Sequence, residues 1–218
     1  YDPKRDLTYS VIKNKGLSNT SIKRFLQDLK TFFKTIQLNS PILNFPFADL
    51  ELFIKKLPLA RKDNDIIALN NEQLKELESF EPSPLRPWEN DVKKAYLFCC
   101  YTGLRCSDFL TLDKSYIRDN KITRVAQKSK VRFEVPLSNK ANAILLEYGE
   151  TFVDKFPKNQ QLNANLEKVL KKLDSFQFEF TINKYKLNEP VNKVVPFYKA
   201  AKFHSSRRTF VSNCIRNN

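Results

Sequence analysis

Three basic residues stand where local structure could hold them rigidly against an anion. Arg105 follows Gly103 in the run Tyr-Thr-Gly-Leu-Arg-Cys-Ser-Asp, between a helix that the glycine ends and a short helical segment. Its planar guanidinium can bind a phosphate through two parallel hydrogen bonds. His204 and Arg207 are three residues apart, a spacing that puts both side chains on one face of a helix. These residues predict an anion-binding site.

Such residues suit phosphoryl transfer. Two arginines can neutralise the non-bridging oxygens of a phosphate, and a lysine or histidine can donate a proton to the leaving oxygen. The sequence has no clustered carboxylates of the kind found in metal-dependent nucleases, which disfavours a two-metal mechanism. No metal and no other cofactor are expected.

Three separate segments resemble motifs of one enzyme family, the tyrosine recombinases of the phage integrase type. Thr102–Asp108 (TGLRCSD) is similar to the family's first motif, and His204–Phe210 (HSSRRTF) is similar to its His-x-x-Arg motif. Between them, Gln127–Lys130 (QKSK) and Glu134–Leu137 (EVPL) resemble the family's β-hairpin lysine and the strand after it. The presence of all these segments together, in the family's order and spacing, is more specific than any single motif.

The resemblance implies a role for each matched residue. Arg105 and Arg207 would clamp the scissile phosphate, and Lys128 would protonate the leaving 5′ oxygen, with Lys130 as the alternative. His204 would assist proton transfer and hold the phosphate by a hydrogen bond.

Two neighbours of these residues each have two possible roles. Asp108 would match the acid that supports the family's site, although a local helix cap explains it almost as well. Arg208 would contact the DNA backbone or serve a structural purpose.

The family's nucleophilic tyrosine follows a Gly-His or Gly-Trp motif that comes after the His-x-x-Arg helix. Neither feature appears between Arg207 and Asn218, and all eight tyrosines precede His204. We therefore expect the nucleophile to lie outside these 218 residues. The chain begins at Tyr1 rather than Met, so we also expect its start to be missing.

The elements that must position these residues follow from hydrophobic periodicity. Ser18–Ile36 has one apolar stripe at helical spacing, with Ser18 as N-cap. Further helices are predicted over 70–80, 90–101, 138–149, 162–173 and 204–218. Lys121–Gln127 and Val131–Leu137 are predicted strands joined by a Lys-Ser-Lys turn, and 176–197 contains strand-like pieces.

The expected fold is mainly α with a small antiparallel β element. By resemblance, it is a tyrosine-recombinase catalytic domain preceded by part of a helical core-binding domain. Residues 1–56 would be the C-terminal part of that DNA-clamping domain, residues 57–67 a linker, and residues 68–218 the catalytic domain, truncated before the nucleophile.

The formal charge of +14, from 38 basic and 24 acidic residues, attracts polyanions. The charge therefore favours a nucleic-acid partner over a merely soluble basic surface, and the resemblance makes duplex DNA the expected partner. Lys23, Arg24, Lys30 and Lys34 lie off the apolar stripe of the first helix and could face DNA, or could form an ordinary solvated face. The resemblance also implies that the protein assembles as a homotetramer on two synapsed DNA sites.

Several other kinds of protein are disfavoured. Only 3 glycines argue against a Gly-rich phosphate loop, and the apolar runs are too short to span a bilayer. No signal peptide is visible, so a cytoplasmic protein without membrane contact is expected. The four cysteines form no CxxC pair and His204 is distant, so no zinc site is expected. All four are predicted to be buried, reduced thiols.

The expected function is site-specific DNA recombination or integration, in the context of a bacterial mobile element. The tyrosine would attack a phosphodiester and form a 3′-phosphotyrosyl bond, which a 5′ hydroxyl would reverse without ATP or metal. Two alternatives stay open: a non-catalytic basic DNA-binding protein, and an enzyme like a type IB topoisomerase, which has similar catalytic residues but does not pair two DNA sites.

Overall fold

A computed structural model describes residues 17–40, 46–57, 59, 66–148, 159–183, 185–186, 189–190 and 192–216. The fold is mainly α-helical with a small antiparallel sheet, as predicted. The chain divides into two compact units, Tyr1–Asp65 with Thr181–Lys193 (unit 1) and Ile66–Phe180 with Val194–Asn218 (unit 2). Most of the predicted linker, residues 58 and 60–65, lies outside the described residues.

Unit 1 contains two described helices, α1 (Asn19–Asn39) and α2 (Phe47–Lys56). The predicted N-cap is confirmed: the Ser18 side chain accepts a hydrogen bond from the Ser21 amide at 3.2 Å. The apolar stripe of α1 is only partly covered, because Phe25 is 62% exposed and Phe32 is 57% exposed.

Unit 2 holds the remaining helices: α3 (Asn71–Ser79), α4 (Pro87–Thr102), α5 (Cys106–Phe109), α6 (Asn139–Tyr148), α7 (Asn159–Leu170), α8 (Phe197–Ala200) and α9 (Phe203–Arg216). All predicted helices are present. The predicted start of α4 at Asn90 is wrong by about one turn. Pro87 occupies the first turn of α4, where a missing N–H breaks no helical hydrogen bond. The predicted end at Gly149 lies outside the described residues.

The predicted hairpin is confirmed as β2 (Lys121–Val125) and β3 (Arg132–Pro136), which pair antiparallel with Thr123 opposite Glu134. A short strand that was not predicted, β1 (Ile117–Arg118), extends this sheet in the order β1-β2-β3. Two smaller sheets complete the described strands: β4 (Glu179–Ile182) pairs with β7 (Lys193–Pro196), and β5 (Tyr185–Lys186) pairs antiparallel with β6 (Glu189–Pro190).

The core of unit 2 surrounds α4, which packs against α6, α7 and α9. Tyr96 and Phe98 on α4 are fully buried. The ring of Tyr96 meets Phe203 of α9 edge-on at 5.4 Å, and Phe98 lies 5.9 Å from Phe109 of α5. Since α5 and α9 carry or follow the predicted site residues, the same core that stabilises the unit also positions the site.

The cysteine prediction is only partly right. Cys99 and Cys100 are buried on α4, but Cys106 is partly accessible and Cys214 is exposed. Cys214 lies near the end of α9, where its neighbour Ile215 is also 73% exposed, so apolar neighbours in sequence do not ensure burial there. No helix in the described ranges is long and apolar enough to cross a membrane.

Gly103 ends α4 in the left-handed conformation, with φ +65°, and a Cβ there would lie 2.6 Å from Cδ1 of Phe210. We expect Gly103→Ala to lower the free energy of unfolding by about 1–2 kcal/mol from backbone strain alone, with a further loss from the clash. Chemical denaturation measures this free energy. Adding Phe210→Ala to the Gly103→Ala variant should recover the part of the loss that comes from the clash. Unchanged stability in Gly103→Ala would contradict this account of the turn.

Candidate active site

Arg105 is a partly exposed residue that lies two positions after the turn at Gly103. It occupies the N-cap position of α5 with extended backbone angles, φ −70° and ψ 148°. Its side chain is 32% exposed, and Nη1 lies 3.8 Å from Oδ2 of Asp108. The backbone of Arg105 therefore lies between the end of α4 and the start of α5, as the sequence predicts, and Asp108 of α5 faces its guanidinium.

The helix α9 presents His204 and Arg207 to solvent because its opposite face is anchored by buried hydroxyls. The Oγ of Ser205 lies 2.7 Å from the hydroxyl of buried Tyr96, and Oγ1 of Thr209 accepts a hydrogen bond from the Leu69 amide at 2.9 Å. Both anchoring side chains are almost completely buried. Their bonds fix the rotation of α9 about its axis.

A direct hydrogen bond joins the two motifs. Nη1 of Arg207 donates to the carbonyl of Gly103 at 3.0 Å, across 104 residues of sequence. That carbonyl lies two residues before Arg105. The two arginines also line one cavity of about 300 Å³, with Thr102 and Ser129 among its other lining residues. The structure thus brings Arg105 and Arg207 to the same place.

Asp108 connects α5 to the β2–β3 hairpin. Its side chain is 1% exposed, and its Oδ1 accepts a hydrogen bond from the Gln127 amide at 3.0 Å while Oδ2 faces Arg105. The N-cap of α5 is Arg105, so the helix-cap explanation for Asp108 is wrong. The carboxylate instead bridges the arginine segment and the segment that leads into Lys128.

Four cationic side chains act on the pKa of His204. The pKa of His204 is lowered from its usual value, first by partial burial and then by Arg208, Arg207, Arg105 and Lys128. The other three predicted catalytic residues are therefore among the cations whose charge acts on His204. The lowered pKa favours the uncharged imidazole, which can donate one hydrogen bond and accept another. An arriving phosphate would offset the positive charges.

The remaining predicted residues lie in two places. Lys130, in the hairpin turn, is exposed with a left-handed φ of 56°, and Arg208 is half-buried on α9. In unit 1, α1 carries the predicted DNA contacts: Lys23, Arg24 and Lys34 are exposed, whereas Lys30 is half-buried and pairs with Glu51 of α2.

Arg124 on β2 was missed. It is 7% exposed and its guanidinium donates to the carbonyl of Asp108 at 2.7 Å. The signal that could have found it is strand alternation, since Ile122, Arg124 and Ala126 share the inward face. Within the described ranges, no group of three or more His, Cys, Asp or Glu could hold a metal ion.

The sequence model of the Phage integrase family matches residues 68–218. No curated protein matches the sequence. The fold is similar to that of the Tn1549 transposon integrase in complex with circular intermediate DNA, with a TM-score of 0.56 at 14% identity, covering 95% of this chain and 70% of that one.

A weaker similarity, with a TM-score of 0.44, links the chain to the XerH site-specific recombinase bound to palindromic difH substrate. That comparison has 14% identity and covers 72% of this chain and 45% of the other.

Proposed function

Because the chain belongs to the phage integrase family, we propose that it supplies the DNA-binding and phosphate-activating part of a tyrosine-type site-specific recombinase. The observation that carries the proposal is the hydrogen bond from Arg207 to the Gly103 carbonyl, which brings Arg207, on the helix that also holds His204, to the cavity that Arg105 lines. A net charge of +14 suits duplex DNA as the partner, and the integrase of similar fold is itself complexed with DNA.

The proposed reaction is an exchange of one phosphodiester for another. A tyrosine oxygen, from a residue outside this chain's eight tyrosines, attacks phosphorus while the bond from phosphorus to the 5′ oxygen breaks. Arg105 and Arg207 stabilise the negative charge on the two non-bridging oxygens. Lys128 gives its proton to the departing 5′ oxygen, and neutral His204 accepts the tyrosine proton or hydrogen-bonds the phosphate. A 5′ hydroxyl reverses these steps, so neither ATP nor a metal is consumed.

The choice of Lys128 over Lys130 has structural support. Lys128 is one of the four cations that lower the pKa of His204, and the backbone that leads into it is tied to Asp108 through Gln127. Lys130 follows two residues later with a left-handed backbone. We assign Lys130 and Arg208 to contacts with the DNA backbone.

The remaining parts of the proposal concern the whole protein. Residues 1–56 would belong to a core-binding domain that clamps DNA through α1, with 57–67 as linker and 68–218 as catalytic domain. The enzyme would act in the cytoplasm as a tetramer on two synapsed sites.

DNA binding should weaken steeply as salt rises. Each phosphate neutralised by Lys or Arg should contribute roughly 0.9 to the slope of log affinity against log salt. Fluorescence anisotropy with a labelled duplex measures this slope. Lys34→Ala on α1 should reduce it by about 1, whereas Lys75→Ala, an exposed lysine on α3, should leave it unchanged. Affinity that stays flat between low and moderate salt would count against DNA as the partner.

The experiment that tests the function is recombination by the full-length protein between two duplexes that carry its site, with a chelator present and ATP omitted. The expected result is recombinant product. Relaxation of supercoiled DNA without recombinants would instead indicate a topoisomerase, and DNA binding with neither product would indicate a non-catalytic protein.

A further inference from the structure

Arg124 is a buried cation whose side chain contacts the last residue of the first motif and the segment that follows it. Its Nη1 donates to the carbonyls of Asp108 at 2.7 Å and Thr111 at 3.1 Å, and its Nη2 donates to Oγ1 of Thr111 at 3.2 Å. The guanidinium also lies 4.8 Å from the ring centre of Tyr116. Arg124 thereby donates hydrogen bonds to the carbonyl of Asp108, in the last turn of α5, and to that of Thr111, which follows the helix.

A second set of bonds joins the same two segments. The Gln127 amide donates to Oδ1 of Asp108, and Nε2 of Gln127 donates to Oγ1 of Thr111 at 3.1 Å. Together, Arg124 and Gln127 fasten the end of β2 to Asp108 and Thr111. Lys128 is the next residue along the chain. The position of Lys128 relative to α5 therefore depends on this hydrogen-bonded set.

Only an arginine can make these contacts. Its planar fork reaches several acceptors at once, whereas a lysine ammonium is a single point on a flexible stem. The burial also has a cost, since Nε of Arg124 has no hydrogen-bond partner within the described part of the chain. An unpaired buried donor costs on the order of 1–3 kcal/mol, so an apolar residue at this inward strand position would avoid that cost. The presence of an arginine at this position therefore requires another explanation.

We propose that Arg124 is a positioning residue that sets the distance between Arg105 and Lys128 without touching DNA. Arg105 is held separately by the turn at Gly103 and by Asp108, so loss of Arg124 would displace the hairpin and its lysine rather than the arginine. This inference rests on the proposed function, in which Lys128 is the proton donor.

A DNA substrate with sulfur in place of the bridging 5′ oxygen separates this role from general loosening. When its phosphorus–sulfur bond breaks, the 5′ group leaves as a thiolate, which needs no proton because a thiol is far more acidic than an alcohol. A misplaced Lys128 should therefore slow cleavage of the oxygen substrate only. In the full-length protein, we expect Arg124→Lys to slow oxygen-substrate cleavage at least about tenfold, and sulfur-substrate cleavage by less than about threefold.

The matched control is Arg118→Lys, the same change on exposed Arg118 in the same sheet, which should cleave both substrates normally. Equal slowing of both substrates by Arg124→Lys, or slowing of neither, would overturn the inference. If that variant does not fold, Thr111→Val, which removes the shared hydroxyl acceptor, must show the same oxygen-selective defect in milder form; an unselective defect or none would overturn it.

Failure of the proposed function gives a different result. Lys128→Ala should be slow on oxygen and nearly normal on sulfur. If Lys128→Ala is equally slow on both, the assignment of Lys128 falls, and the inference with it. If the sulfur substrate restores cleavage by Lys128→Ala but not by Arg124→Lys, only the inference about Arg124 is wrong.

Discussion

Replacing Arg105 or Arg207 with alanine should slow strand cleavage by the full-length protein by on the order of 10² or more. Both guanidiniums line one cavity, and the Gly103 carbonyl that accepts a hydrogen bond from Arg207 lies two residues from Arg105. A phosphate bound there would contact both guanidiniums. In either alanine variant, the negative charge that develops during transfer would be stabilised by one fixed donor instead of two. DNA affinity should change little, because the chain has 38 basic residues and nearly all of them would remain available to bind the DNA backbone.

Two further variants make this prediction specific. Arg207→Lys keeps the charge but loses the planar fork, so it should fall between wild type and Arg207→Ala. Arg216→Ala removes an exposed arginine from the end of the same helix and should cleave normally. Cleavage rates are compared at saturating DNA, with affinity measured separately. Normal cleavage by Arg105→Ala or Arg207→Ala would show that the cavity is not the phosphate site.

A protein made of residues 1–218 alone should form no covalent adduct with DNA. Attack requires a tyrosine aligned with the scissile phosphate, and that alignment supplies much of the rate. The hydroxyls of three described tyrosines are already bonded elsewhere: Tyr96 to Ser205, Tyr101 to Glu78 and Tyr148 to Asp91. Burial raises the pKa of each, which makes the phenolate harder to form.

Two further described tyrosines fit the role no better. Tyr198 is 8% exposed, and Tyr116 lies against the guanidinium of Arg124. Tyr1 and Tyr9 lie outside the described residues, and the side chain of Tyr185 is not described. A nicked substrate that traps the phosphotyrosyl intermediate provides the assay, with the full-length protein as positive control. An adduct that maps to any of the eight tyrosines would show that the nucleophile has been misplaced.

Much of the fold could be predicted because its signals are local. The apolar period of α1, the turn at Gly103 and the strand composition around Lys128 each depend on a few neighbouring residues. The three motifs indicated the gathering of Arg105, Lys128 and His204 only through their resemblance to a family, since hydrophobic period says nothing about which distant segments meet.

The bridging contacts could not be predicted in this way. Asp108 reaches Gln127 across 19 residues, and the Leu69 amide reaches Thr209 across 140. Such hydrogen bonds depend on tertiary packing, and short-range pattern does not encode them. The same reason explains Arg124, whose charge suggests a surface residue although the strand turns it inward.

The central claim is that one phosphate meets Arg105, Lys128, His204 and Arg207 together. A structure of the full-length protein bound to duplex DNA that carries its recombination site tests it most directly. The account predicts Arg105 and Arg207 at about 3 Å from non-bridging oxygens of the same scissile phosphate, with the ammonium of Lys128 beside its bridging 5′ oxygen. Arginines bound to two different phosphates, or a scissile phosphate away from this cavity, would contradict it.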